Sequence, residues 1–169
     1  MKVIVMNGQG GSGKSTFEQY VVDFAAKDNK TVSIYSMVTY VKECAKLLGW
    51  DGGKTDVDRK FLSDLKLALE SWNNSPRINV EAEINAAEEA GDSLIFIDAR
   101  EGEDIEWLRE TFDTTVILVD RKLNRTYGNI ADDGVMDITY DFVVDNTGTL
   151  DDLKDSAEVF WNLVRNGRI

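Results

Sequence analysis

The chain has no histidine, a single cysteine and a single proline among its 169 residues. Without histidine there can be no Ser-His-Asp or Cys-His nucleophile system, and no histidine-bound metal. One cysteine, Cys44, allows neither a disulfide framework nor a thiolate metal cluster. Val41, Ala45 and Leu48 beside it give the expectation of a buried core thiol. Any metal should therefore be a hard cation held by oxygen ligands, which points to Mg²⁺. Basic residues are also scarce: 19 Lys and Arg face 31 Asp and Glu, for a net charge of −12. That disfavours broad binding to DNA, RNA or an anionic membrane, each of which needs a basic surface. It leaves room for a phosphorylated small molecule gripped by a few focused cations and a metal ion. No apolar run reaches the length of a membrane span. A strand pattern follows Met1 directly, with no signal-peptide layout, so a cytoplasmic protein is expected.

What is present begins with Met1 to Thr16, MKVIVMNGQGGSGKST. A short apolar run, Val3 to Met6, leads into a glycine-rich loop. Gly8, Gly13, Lys14 and Ser15 fit G-x-x-x-x-G-K-[ST], the phosphate-binding P-loop. Gly8, Gly10, Gly11 and Gly13 permit positive φ and close backbone approach. Successive N–H groups, including that of Ser12, can then converge on one anion. The helix that starts near Gly13 adds its dipole and unpaired donors. Lys14 supplies a compact charge for the β- and γ-phosphates, and Ser15 a hydroxyl ligand for Mg²⁺.

The rest of the chain alternates strands and helices. Phe17, Val21 and Phe24 recur on one helix face, from Lys14 to about Lys27. Thr31 to Tyr35 reads as a strand. Ser36 is expected to cap a helix that carries Val38, Val41, Ala45 and Leu48 and stops at Gly49. A helix from about Asp58 should turn Phe61, Leu62, Leu65, Leu69 and Trp72 inward, until Asn73-Asn74-Ser75-Pro76 breaks it. Val80, Ile84 and Ala87 mark the next helix. Leu94–Ile97 and Val116–Val119 are continuous apolar runs ending in Asp98 and Asp120, as buried parallel strands do. Ile105, Leu108 and Phe112 mark a short helix between them. Phe142–Val144 is the last strand. Leu150, Leu153, Ala157, Phe160 and Val164 form the apolar face of a final helix. The pattern predicts an α/β chain: a mostly parallel sheet covered on both faces, with ligands at the carboxyl ends of its strands. Length and pattern suit one domain over 1–169, with a helical insert at about 51–91 and a polar stretch at about 121–140.

Several charged positions fall where chemistry would need them. Asp98 closes the third strand, the place of a carboxylate that holds Mg²⁺ directly or through water. Arg100 could clamp an acceptor phosphate bidentately. Arg121, Lys122 and Arg125 form the densest basic group; if that segment is helical, Arg121 and Arg125 share a face and converge on a transferring phosphoryl group. Arg59 and Lys60 are candidates for the acceptor's phosphate, and Lys66 and Arg77 are weaker ones.

GQGGSGKST, IDAREGEDIEWL and the C-terminal DRKLN…DD…YDFVVDNTGTLDDL together resemble the P-loop nucleoside- and nucleotide-kinase superfamily. The likeness is greatest to phage-type deoxynucleoside monophosphate kinases. The resemblance implies a three-layer α/β/α fold around a five-stranded parallel sheet, a helical acceptor-binding insert and a lid that carries arginines. It implies transfer of the ATP γ-phosphate to a (deoxy)nucleoside monophosphate. It suggests Gly13, Lys14, Ser15 and Thr16 for the ATP phosphates, Arg100 for the acceptor phosphate, and Arg121 and Arg125 for the lid. Asp98-Ala99-Arg100 departs from the Asp-Gly-Phe-Pro-Arg of adenylate kinases, and the segment from Asp51 to Gly91 matches no known acceptor site. Two alternatives stay open: a P-loop kinase for a hydroxyl acceptor, with Asp98 or Glu101 taking the proton, and an acceptor-independent ATPase.

Overall fold

A strand that is apolar on both faces must be covered on both faces, and three such runs form the middle of the sheet. In the computed structural model, which describes residues 1–122 and 138–169, the strands are β1 (Lys2–Asn7), β2 (Val32–Ser36), β3 (Leu94–Asp98), β4 (Thr114–Asp120) and β5 (Phe142–Asp145). Their order is β2-β3-β1-β4-β5, and every pairing is parallel. The register sets Val5 of β1 opposite Ile97 of β3 and Val116 of β4.

Six helices are described: α1 (Lys14–Lys27), α2 (Thr39–Leu47), α3 (Asp56–Asn73), α4 (Ser75–Glu89), α5 (Gly102–Thr111) and α6 (Leu150–Arg165). Alternation along the strands divides the core in two. Ile4, Met6, Phe96, Ile117 and Val119 meet Phe17 and Val21 of α1 and Phe160 and Trp161 of α6. Val3, Val5, Ile95, Ile97 and Val116 meet Val80 and Ile84 of α4 and Ile105 and Leu108 of α5. The Phe160 ring lies 5.5 Å from that of Phe17 and 6.1 Å from that of Phe96, centroid to centroid. Burying one such ring stabilises by about 1.5–3 kcal/mol. The α/β/α layering expected from the sequence is the fold observed.

Four local expectations are corrected. Ser36 ends β2 rather than capping α2, which starts from Val38 with no side-chain cap. Cys44 is only half-buried, and its neighbour Leu48 is exposed. Helix α3 begins two residues before Asp58, because Thr55 and Asp58 form a reciprocal capping box that fixes the start at Asp56. Trp72 at its far end points outward, 79% exposed. Helix α3 packs mainly on α2 and α4, so among the described residues part of its apolar stripe has nothing to bury against. Asn74 takes the left-handed conformation (φ 55°) and serves as the last cap of α3 and the first of α4. Pro76 follows in the first turn of α4, where its missing N–H is not needed.

From β1 the chain crosses through α1 to the sheet edge at β2, returns to β3, and then passes to β4 on the other side of β1. The connections diverge at β1, so a crevice opens at its carboxyl end. Asn7, Asp98 and Asp120 terminate the three central strands on that edge.

Candidate active site

The loop between β1 and α1 turns on three left-handed or extended-positive glycines: Gly8 (φ 145°), Gly11 (φ 81°) and Gly13 (φ 101°). Two of them leave no room for a side chain. A Cβ on Gly8 would stand 2.5 Å from the Val119 carbonyl oxygen, and one on Gly13 would collide with the Asn146 amide. Gly10 differs from the expectation: its φ is not positive, and a Cβ there would meet nothing within 4 Å. Gly8 N–H donates to Asn7 Oδ1 (2.6 Å) and Ser12 N–H to the Gln9 carbonyl (3.0 Å). Ser12 is buried, and its own carbonyl accepts from Asn146 Nδ2 at 2.7 Å. Ser12 therefore shapes the loop with both of its backbone groups.

Helix α1 starts at Gly13 with no side-chain cap and no acidic residue in its first turn. A helix N-terminus in that state carries positive potential, and here Thr16 N–H turns back to the Gly13 carbonyl at 3.1 Å. Lys14 Nζ lies against the loop's first two carbonyls, 2.6 Å from Gly8 O and 3.4 Å from Gln9 O. Ser15 is exposed and Thr16 half-buried on the same turn.

Beneath this turn lies a carboxylate pair that sequence reasoning only half anticipated. Asp98 is one member. Glu18, one helical turn after Lys14 and 1% exposed, is the other. Burial first, and then the charge of Asp98, pushes the Glu18 carboxyl up to about 8, against the pull of Lys14. Burial also raises Asp98, opposed by Lys14, Arg100 and Lys42. Glu18 Oε1 and Asp98 Oδ1 are both buried without a hydrogen-bond partner. The signal for Glu18 was in the sequence: a charge beside Phe17 on the inward stripe of the P-loop helix.

Asp98 offers a hard oxygen with an open valence, and Ser15 a hydroxyl, so the residues present fit Mg²⁺. Among the described residues no group of three or more His, Cys, Asp or Glu could hold a metal. Such an ion would share its coordination with the phosphates of a nucleotide.

Arg121 leaves the end of β4 and reaches Gly11 O at 3.4 Å. Neither Arg121 nor Lys122 is helical, so the condition for pairing Arg121 with Arg125 on a helix face is not met at its start. Arg125 and most of the expected lid lie outside the described residues. Beside the loop, a cavity of about 100 Å³ is lined by Gly13, Thr16, Arg121, Asn146, Thr149 and Leu150, among others.

Arg100 is exposed two residues after Asp98. Arg59 stands exposed in the first turn of α3, on a different element from the group around Asp98. Lys60 pairs with Asp64 at 2.7 Å. Lys66 and Arg77 are committed to carboxylates. Lys66, nearly buried, pairs with Asp104 (2.7 Å), Glu70 (3.4 Å) and Glu101, and Arg77 pairs with Asp104 at 3.1 Å. This ion network ties α3 and α4 to the start of α5.

The fold is one found in solved structures. A crystal structure of a sugar kinase from Janibacter sp. HTCC2649 matches with a TM-score of 0.51 at 18% identity, over 97% of this chain and 95% of that one. TT1252 from Thermus thermophilus matches with a TM-score of 0.53 at 18% identity, over 95% of this chain and 96% of that one. No protein-family model matches the sequence, and no curated protein does. No described helix is long and apolar enough to cross a membrane.

Proposed function

We propose that the chain is a cytoplasmic phosphotransferase that moves the γ-phosphate of ATP·Mg²⁺ to a (deoxy)nucleoside monophosphate. It acts as one kinase domain over 1–169, with an acceptor-binding insert at about 51–91 and a lid at about 121–140. One observation carries this reading. The uncapped start of α1 stands behind positive-φ glycines, with the Lys14 ammonium across the loop. That arrangement, with no side chain capping the helix start, is complementary to a polyphosphate.

In this reading the N–H groups of Gly13, Lys14, Ser15 and Thr16 take the ATP phosphates. Lys14 exchanges the Gly8 carbonyl for a β- or γ-phosphate oxygen. Ser15 and Asp98 would hold Mg²⁺, which supplies charge neutralisation across the β- and γ-phosphates. Arg121 borders the cavity beside Gly13 and Thr16, on the same side of the loop as the start of α1. Arg100, two residues beyond Asp98, receives the acceptor's phosphate, and Arg59 is a second candidate for it. Arg121 and Arg125 would close on the transferring group, where charge spreads over its oxygens. An ionised phosphate acceptor needs no strong base, so the protein contributes position and charge.

The Glu18–Asp98 pair supports a second reading, a kinase for a hydroxyl acceptor. A carboxyl held near 8 is tuned to take a proton near neutral pH. A coupled ATP-consumption assay over nucleosides, their monophosphates and small hydroxyl metabolites separates the two. Turnover with monophosphates alone supports the first reading. Turnover with a nucleoside or polyol but not its phosphate overturns it. A thermal-shift screen of the same compounds, with and without ATP·Mg²⁺, reports binding independently of turnover.

A further inference from the structure

Asn146 is the first residue after β5 and sits 134 positions from the loop it touches. It is buried, 8% exposed. Its backbone N–H donates to the Asp120 carbonyl at 2.7 Å, which pins it to the end of β4. Its side-chain amide donates to the Ser12 carbonyl at 2.7 Å. A buried donor that spends its hydrogen bond on one particular peptide fixes the plane of that peptide. In a trans peptide the carbonyl and the following N–H point in opposite directions. Holding Ser12 O toward Asn146 therefore turns Gly13 N–H away from it, to the loop's inner side. The same amide fills the volume that a Cβ on Gly13 would occupy, so residue 13 and residue 146 constrain each other.

The geometry points to Asn146 as a positioning residue for the phosphate nest: it aims the Gly13 N–H at a bound polyphosphate. Asn146 also lines the cavity with Arg121, Thr149 and Leu150. Through the backbone N–H and the side-chain amide of one residue, the exit of β4, the loop and the β5–α6 turn are held in register. The inference rests on the reading of residues 8–16 as a polyphosphate nest.

The test uses the full chain with two probes, inorganic tripolyphosphate and ATP, titrated by calorimetry without acceptor. Gly13 is followed by its amide resonance in ¹⁵N-labelled protein. In the native chain both probes bind, and the Gly13 resonance moves downfield. In Asn146→Ala, and in the near-isosteric Asn146→Asp, which places an acceptor opposite the Ser12 carbonyl, both affinities fall by about 10-fold or more, as expected for a misaimed charge-assisted bond. The Gly13 shift shrinks while the melting temperature stays within a few degrees. Native-like affinity and an intact Gly13 shift in both variants would overturn the assignment. So would a loss confined to ATP, which would make Asn146 a wall of the cavity only. Failure of both variants to fold would also overturn it, since the amide would then be holding the fold. If the native chain itself binds neither probe, the polyphosphate reading fails instead.

Discussion

Around Gly8–Ser15 the backbone makes the surface, whereas at α3 and α4 side chains make it. In the loop, two glycines are fixed by collisions with Val119 and Asn146, and the useful groups are N–H donors. Across the insert, one buried lysine gathers Glu70, Glu101 and Asp104, while Val57, Leu67, Trp72 and Ile78 stay exposed. A backbone site recognises what every nucleotide triphosphate shares. A side-chain surface can be rewritten residue by residue. The ion network also sets a mechanical difference within the insert: α3 is fastened to the start of α5 by charge, whereas α4 shares an apolar core with α5.

The contrast can be broken at either end. The largest effect is expected from Lys14→Ala, which should cut turnover with any acceptor by roughly 1,000-fold or more, read in the coupled assay; near-native phosphoryl transfer would end the nest reading. Next comes a pair. Gly13→Ala should abolish ATP binding and destabilise by roughly 2–4 kcal/mol in urea unfolding, since it combines strain with a collision. Gly10→Ala should leave stability within about 0.5 kcal/mol. Equal losses in the two would mean the loop is not built as described. On the insert side, Lys66→Met strands buried Asp104 with Arg77 as its remaining cation. It should cost about 3 kcal/mol of stability while leaving tripolyphosphate affinity unchanged.

A smaller effect concerns Glu18. A carboxyl whose folded value is raised binds more protons in the native state than in the unfolded chain. Stability of the metal-free protein should therefore fall as pH rises from about 4.5 to about 8, the range between the ordinary and the raised value. Glu18→Gln should flatten that slope and gain of order 2 kcal/mol at the upper end, measured by unfolding in EDTA. The smallest change is expected from Trp72→Ser, within about 0.5 kcal/mol. A large loss there would mean that this exposed indole is covered by another molecule in solution.

The sequence made some of this legible and hid the rest for identifiable reasons. The P-loop and the three central strands could be read because their requirements are local: glycine where φ is positive, unbroken apolar runs where both faces are covered. Asp98 could be placed because a strand ends where its apolar run ends. Glu18, Asn146 and Lys66 are decided by partners far along the chain, 80, 134 and 38 residues away for Asp98, Ser12 and Asp104. Nothing beside them in sequence announces the pairing. Lys66 and Arg77 looked like cations in search of a phosphate, and only the fold supplies the carboxylates that occupy them. Trp72 was misplaced because the apolar stripe of α3 continues past the area its neighbours cover. Gly10 shares the composition of the loop without its steric need.

Asn74 belongs to two helices at once, so the corner between α3 and α4 has no spare residue. An insertion at that corner would rotate one arm about the other and pull Lys66 and Arg77 apart. Extra length is easier to place near the left-handed glycines Gly52 and Gly91, around which a Cβ would meet nothing within 4 Å. The elbow's residue count, rather than any single contact, therefore sets the angle at which the two helices meet.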